Sequence, residues 1–324
     1  MLKLLIVKTS SLGDIVHNLP IIADIRAHFP DIEIDWLVEA SFADIPKLHP
    51  AVNKVIQVSF RRWRKSLLSK QTWQEITTLR QQLSSSHYDI VLDTQSLVKS
   101  ALFTLFTHGN KHGFDSDSAR EPLASVFYNT KHQVSRSQQA VSLNRALAAK
   151  AFNYEMPVTA PDYGIKAQSL TNLVPLGPYV MGLHGTSRDS KLWPVDHWIK
   201  LGELLSKQRL ELLLPWGSEA EHIRAQKIAL KLPNAIVLPQ LSIALLATLL
   251  SQAKAAIGVD TGLSHLAAAL NIPTVAIYTD TNPELTGVTA GAFAPAINIG
   301  GINQIPTVEE VFQAFLNLDP IHKI

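Results

Sequence analysis

The sequence predicts an α/β protein built from two doubly wound parallel sheets. Short apolar runs of strand length alternate with stretches of helical period along the chain. The alternation stops in a stretch rich in Pro, Thr and polar residues, 153–177, where the domain linker is placed, and then restarts. The 324 residues exceed one ordinary domain and fit two.

In the first half, residues 3–7 form a β-rich run, and the polar loop 8–14 (K-T-S-S-L-G-D) leads into a helix. Ile15, Leu19, Ile22 and Phe29 keep helical spacing, with Pro20 either starting the regular helix or kinking it. Strands are expected at 34–38 and 54–58, a helix at 73–83, a buried strand at 89–93 and a helix at 97–106. Residues 109–136 carry no regular period, and a helix over 141–152 follows. Strands that alternate with helices pair in parallel and are covered on both faces.

The second half opens with a strand at 179–183, the polar loop 184–191 and a helix at 198–205. Strands follow at 210–214, 236–238, 255–259 and 274–278. Helices at 219–230 and 243–250 separate them, as does one whose inner face is Leu263, Leu266, Ala267 and Leu270. Residues 308–318 form a last helix that can pack on either half, the N-terminal domain included. The domains are drawn as residues 1–160 and 161–324. Each opens with a strand feeding a Thr/Ser-containing loop, and no solenoid period is present.

A composition 46% hydrophobic and 17% charged can bury substantial cores. Without cysteine there is no disulfide framework and no thiolate metal site, which fits a reducing compartment. The N-terminal apolar run is too short for a signal-peptide core or a membrane span, and no other run reaches membrane length. A cytoplasmic protein with only peripheral membrane contact is therefore expected. The formal charge of +2 is mildly basic, and nucleic acid is not an expected partner. G-x-x-x-x-G-K-[ST], G-x-G-x-x-G and H-E-x-x-H are all missing, so P-loop, dinucleotide-dehydrogenase and zinc-protease chemistry have no support.

Ligands of open parallel sheets bind beyond the carboxyl ends of the strands. That rule selects the loops after Val7, Leu183, Leu214, Val259 and Tyr278. After Val259, Asp260-Thr261-Gly262 is a tight polar turn before a helix. Free N–H groups there suit a diphosphate, while a plain capped turn would use the same residues. His265, one turn further, is either a packed histidine or a phosphate or hydroxyl contact. H-G-T-S-R-D-S-K is either a plain solvated loop or one in which Thr186, Ser187 and Lys191 offer small donors and a cation for the other side of that diphosphate. In L-P-W-G-S-E-A-E, Glu219 and Glu221 either accept from ribose hydroxyls or simply complement the start of the next helix, the second reading being preferred for Glu219.

The first half carries different chemistry. Asp14 is either a helix cap or a general base that takes a proton from a hydroxyl nucleophile. Arg61, Arg62, Arg64 and Lys65 form a short basic run with Phe60 and Trp63. Such a run is either solvated surface or a site for an anionic acceptor or membrane, where each cation contributes about 1 kcal/mol. Lys8, Lys99 and Arg120 add cations in the same half. Asp115-Ser116-Asp117 matches the D-x-D pattern of some metal-dependent sugar transferases, a match that arises easily by chance, and no metal site is assigned.

Read together, K-T-S-S-L-G-D-I-V-H-N-L-P, R-R-W-R-K, D-T-Q-S-L-V-K-S, R-E-P-L-A-S-V-F-Y-N, H-G-T-S-R-D-S-K-L-W-P, L-P-W-G-S-E-A-E and V-D-T-G-L-S-H-L-A-A-A-L resemble the lipopolysaccharide heptosyltransferases. The likeness to this ADP-heptose:LPS heptosyltransferase family runs in order over nearly the whole chain. It implies a GT-B fold, two Rossmann-like domains facing across a cleft, with the acceptor on the N-terminal side and the nucleotide sugar on the C-terminal side. It implies inverting, metal-independent transfer of L-glycero-D-manno-heptose from ADP-heptose to the first Kdo of Kdo2-lipid A. No cofactor is implied; a monomer, peripheral on the cytoplasmic face of the inner membrane, is expected.

By resemblance the catalytic base falls on Asp14, and donor contacts fall on Thr186, Ser187, Lys191, Glu221, Asp260, Thr261, Gly262 and His265, with an adenine-side contact at Leu241. Acceptor cations fall on Arg61, Arg62, Arg64, Lys65 and Arg120, and further on Lys8 and Lys99. There are two departures from the family pattern: Thr279-Asp280 follows Tyr278 where Gly-Pro is common, and Ser187 replaces Thr. A later heptosyltransferase, a nucleotide-sugar epimerase on the same fold and a non-catalytic binder of nucleotide or anionic lipid are the alternative readings.

Overall fold

The computed structural model describes residues 1–167 and 177–318. The chain divides into two compact units, Met1–Thr159 and Ala160–Ile324. Of the polar stretch 153–177 read as a linker, residues 168–176 lie outside the described residues.

The first unit starts with β1 (Lys3–Val7), α1 (Leu12–Val16), α2 (Pro20–His28) and β2 (Glu33–Glu39). It continues through α3 (Asp44–Lys47), β3 (Val52–Val58), α4 (Phe60–Trp63), α5 (Lys70–Ser84) and β4 (His87–Asp93). It closes with α6 (Val98–Thr104), β5 (His108–Phe114), β6 (Thr130–His132) and α7 (Ala140–Phe152). In the second unit come β7 (Tyr179–Leu183), α8 (Val195–Lys207), β8 (Glu211–Leu214), α9 (Glu219–Ala229) and β9 (Ala235–Val237). Then follow α10 (Ile243–Gln252), β10 (Ala255–Val259), α11 (Gly262–Ala269), β11 (Thr274–Tyr278), α12 (Pro283–Thr286), β12 (Ala296–Gly300) and α13 (Val308–Asn317).

Each unit holds one six-stranded sheet, ordered β3-β2-β1-β4-β5-β6 and β12-β11-β10-β7-β8-β9. All strand pairs are parallel. Counted within its own unit, the second sheet has the same 3-2-1-4-5-6 order as the first, the doubly wound arrangement. The pair of six-stranded parallel sheets is the architecture that the resemblance to a GT-B fold implies. Helices cover both faces, so central strands are continuous apolar runs: every residue of β7, β10 and β11 is buried.

Pro20 begins α2, because its missing N–H falls among the unpaired donors of a first turn. The helix at the C-terminal end, α13, packs on α8 and β11 of the second unit. Its buried face of Val308, Val311, Ala314 and Phe315 joins Trp193 and Trp198 in that unit's core. Regular structure also appears where no period was expected. The stretch 109–136 contains β5 and β6, and β12 adds an edge strand. Strand β5 reads H-G-N-K-H-G-F and buries only its last three residues, so it carries no apolar alternation to detect. Among the described residues no helix is long and apolar enough to cross a membrane.

Candidate functional site

Both sheets reverse strand order at a central pair, β1–β4 and β7–β10, and ligands of doubly wound sheets bind beyond such switch points. In the second unit three loops converge there on Asp260. Lys191 Nζ lies 2.6 Å from Asp260 Oδ2. The Thr281 hydroxyl donates to the same oxygen at 2.6 Å, and the Thr186 hydroxyl donates to the Asp260 carbonyl at 2.8 Å. A fourth bond, from the Thr279 hydroxyl to the Ser190 carbonyl at 2.8 Å, ties the loop after β11 to the loop after β7. Thr186 thus directs its one hydroxyl hydrogen at the protein. Ser187, next to it, is exposed.

Thr261 is the extended N-cap of α11 and makes no side-chain cap bond, so no side chain closes the first turn. That turn is the kind of helix start that receives an anion on its backbone N–H groups. The helix sits close against β10: the Ser264 hydroxyl donates to the Val259 carbonyl at 2.8 Å. A Cβ on Gly258 would stand 2.3 Å from Ser264 Oγ, so only glycine permits this approach. His265 is buried in the same turn.

Glu221 serves two neighbours with its two oxygens. Oε2 accepts the N–H groups of Gly217 and Ser218 at 2.7 and 3.1 Å, closing a capping box at the start of α9. Oε1 lies beside Gly185, where a Cβ would approach it to 2.5 Å. The capping and ligand readings of Glu221 are therefore compatible. Leu241 is half-buried just before α10, and exposed Glu219 stands in the first turn of α9. Behind the loop, burial together with the Arg224 charge lowers the His184 imidazolium to about 4.

In the first unit Asp14 occupies the third position of α1. Its Oδ2 accepts the Ser11 N–H at 2.7 Å and the Ser11 hydroxyl at 3.0 Å. Burial raises its pKa, but the Lys8 charge, the Ser11 N–H and His17 outweigh this and hold the carboxyl below its ordinary value. Lys8 is itself buried and donates to the Thr94 carbonyl at 2.9 Å. Burial lowers its pKa against the pull of Asp14 and Asp93, and the Arg120 charge adds to the lowering. Gln95 Oε1 accepts the N–H groups of Thr9 and Ser10 at 3.0 and 3.1 Å, joining the ends of β1 and β4.

Asp93, which the sequence offers only as the end of a strand, organises this edge. It accepts from the Gln95 N–H, the Ser96 N–H, the Ser100 hydroxyl and the Tyr128 hydroxyl at 2.8, 3.2, 2.8 and 2.8 Å. Burial nonetheless raises its pKa. Lys99 reaches Ser10 Oγ at 3.3 Å, and burial followed by the Arg61 charge lowers its pKa, with Arg64 contributing. Lys8, Lys99, Arg61, Arg64 and Arg120 therefore share one electrostatic neighbourhood around the loop that carries Asp14. Arg62 is held instead by Glu75, which also accepts the Trp63 indole N–H at 2.7 Å. Lys65 is exposed after α4. Asp115 caps a turn through the Ser118 N–H at 2.8 Å, and among the described residues no three His, Asp or Glu side chains are grouped to hold a metal.

The family model for Glycosyltransferase family 9 (heptosyltransferase) matches residues 76–311. Lipopolysaccharide heptosyltransferase 1 of Escherichia coli (strain K12) is 46% identical over 288 residues, covering 88% of this chain and 90% of that relative. The solved structure of E. coli heptosyltransferase WaaC with ADP superposes with a TM-score of 0.90 at 43% identity, covering 98% of this chain and 99% of that one. The same enzyme with ADP-2-deoxy-2-fluoro heptose gives a TM-score of 0.87 at 42% identity with the same coverage.

Proposed function

As the chain belongs to glycosyltransferase family 9, the heptosyltransferases, we propose that it transfers L-glycero-D-manno-heptose from ADP-heptose to the first Kdo of Kdo2-lipid A in lipopolysaccharide inner-core synthesis. The observation that carries the donor half is the convergence of Lys191, Thr186 and Thr281 on Asp260 beside the uncapped start of α11. The ADP and the fluorinated heptose donor in the related structures support the same assignment. In this reading the diphosphate lies on the α11 amides and Lys191, the ribose meets Glu221, and Leu241 borders the adenine. Ser187 and His265 complete the donor contacts.

Asp14 takes the proton of the acceptor hydroxyl as that oxygen attacks the anomeric carbon. The bond from the anomeric carbon to ADP breaks on the opposite face, so configuration inverts in one displacement. Negative charge that builds on the departing diphosphate is stabilised by Lys191 and the helix-start amides, which are oriented before reaction begins. Ionised Asp14 matches this role, because Lys8 and Ser11 keep its carboxyl below the ordinary range. Arg61, Arg62, Arg64, Lys65, Lys99, Arg120 and Lys8 are assigned to the anionic groups of the acceptor. An acceptor anchored in lipid places the enzyme at the cytoplasmic face of the inner membrane as a peripheral monomer.

The test is ADP release by the purified chain given ADP-heptose and Kdo2-lipid A. Release that requires this acceptor supports the reading. Release only with an already heptosylated acceptor identifies a later heptosyltransferase, release without any acceptor points to donor hydrolysis, conversion of the donor to an isomer without ADP release identifies an epimerase, and donor binding without turnover identifies a binder.

A further inference from the structure

The segment after the basic run holds two leucines out in solvent. Leu67 is 55% and Leu68 102% exposed, and Trp73, at the start of α5, is 58% exposed. Local structure enforces this. Upstream, Trp63 is buried against Phe103, in a core that also holds Leu79 and Leu83 from α5. The Ser66 N–H donates to the Trp63 carbonyl at 2.9 Å and the Ser69 N–H to the Ser66 carbonyl at 3.0 Å, which closes successive tight turns. The Trp73 indole then donates to the Leu67 carbonyl at 2.8 Å and fixes the turn to α5. Leu67, Leu68 and Trp73 thus form a small apolar tip on a braced stalk.

Within the segment itself, residues 60–74, the charge has one sign. Arg61, Arg64, Lys65 and Lys70 are exposed and have no ion-pair partner among the described residues. The one carboxylate between residues 60 and 75 is Glu75, already engaged by Arg62 and Trp63. Exposed leucines flanked in sequence by cations, with a tryptophan tied to the same turn, match the chemistry of an anionic bilayer surface. Apolar side chains enter the acyl boundary, tryptophan sits at the headgroup level and cations meet the anionic lipids. A second copy of the same tip would bring like charges together.

We propose that Leu67, Leu68 and Trp73 insert into an anionic lipid bilayer while Arg61, Arg64, Lys65 and Lys70 hold its headgroups, docking this face of the first unit on the membrane. The inference builds on the peripheral membrane contact proposed above and specifies how it is made. The binding arm of its test uses vesicles that contain no acceptor, so it fails or stands separately from the acceptor assignment.

The full chain is floated with vesicles of phosphatidylcholine alone or of phosphatidylcholine with phosphatidylglycerol. The unsubstituted chain should partition onto the phosphatidylglycerol vesicles and far less onto the neutral ones. Leu67→Ser/Leu68→Ser should lower that partitioning by about tenfold or more while leaving the melting temperature unchanged. If the double variant melts early, Leu68→Ser alone carries the test. With a deacylated, water-soluble acceptor the double variant should turn over as the parent does, and with acceptor embedded in vesicles its apparent KM should rise. No binding of the parent to anionic vesicles, equal binding by the variant, or an equal loss of turnover on the soluble acceptor overturns the proposal. So does a parent dimer in gel filtration that the leucine substitutions dissolve, since the tip would then belong to a second copy.

Discussion

Lys191 Nζ and Asp260 Oδ2 are 2.6 Å apart, so the loop leaving β7 and the turn leaving β10 are joined by one largely buried ion pair. An aspartate beside a diphosphate site would repel its ligand if left alone. Paired with Lys191 and accepting from Thr281, Asp260 is both partly neutralised and fixed, and it becomes the strut on which the loops of the proposed donor site rest.

Asp260→Ala removes that strut: Lys191 loses its partner and Thr281 its acceptor. ADP affinity measured by calorimetry is expected to fall by about tenfold, the scale of one lost charge-assisted contact. A double-mutant cycle with Lys191→Ala should show a coupling of roughly 0.5–3 kcal/mol. Unchanged affinity in Asp260→Ala would remove this turn from the donor site.

Asp14→Asn separates capping from catalysis. Asparagine keeps a carbonyl oxygen for the Ser11 N–H but cannot take the acceptor proton, so the melting temperature should stay close to that of the parent while turnover drops by roughly 100- to 10,000-fold. Because the Asp14 carboxyl is held below its ordinary value, the acid limb of the parent's kcat/KM should not begin until below the usual aspartate range. Near-normal turnover in the variant would return Asp14 to a purely structural role.

Turnover is expected to persist in excess EDTA, because Lys191 and the α11 amides are the groups assigned to the leaving diphosphate. Loss of activity that a divalent ion restores would bring Asp115 and Asp117 back as candidate ligands.

The elements the sequence made plain are those whose burial is complete. Strands β7, β10 and β11 coincide with the apolar runs 179–183, 255–259 and 274–278, since a strand covered on both faces must be apolar throughout. Strand β5 was not legible, because His108, Asn110 and Lys111 occupy its less buried end and erase the pattern. The D-T-G-L-S-H turn was legible as a helix start, yet its bracing was not. Thr279 and Thr281 meet Ser190 and Asp260 only through the sheet order, and the one local hint was the unusual Thr279-Asp280 after β11. Asp93 had a readable signal, a carboxylate ending an apolar strand before T-Q-S, but its four donors come from the loop after β4, α6 and the segment before β6 together.

His184 makes the second unit sensitive to acid. It is fully buried at the end of β7, its ring edge-on to Trp198 at 6.5 Å, and burial with the Arg224 charge holds its pKa at about 4 against an ordinary 6.5. Between those values the unfolded chain binds a proton that the folded chain refuses, so stability rises with pH across this window and is lost as pH falls from 6.5 toward 4. The full difference is about 3 kcal/mol. His112, lowered to about 4 by burial and by His132, adds a loss of the same sign in the first unit. Denaturant unfolding followed by tryptophan fluorescence at pH 7 and at pH near 4.5 should show the parent losing stability. His184→Asn should lose measurably less over the same interval, because asparagine does not titrate; an equal loss in both would assign the acid sensitivity to other groups.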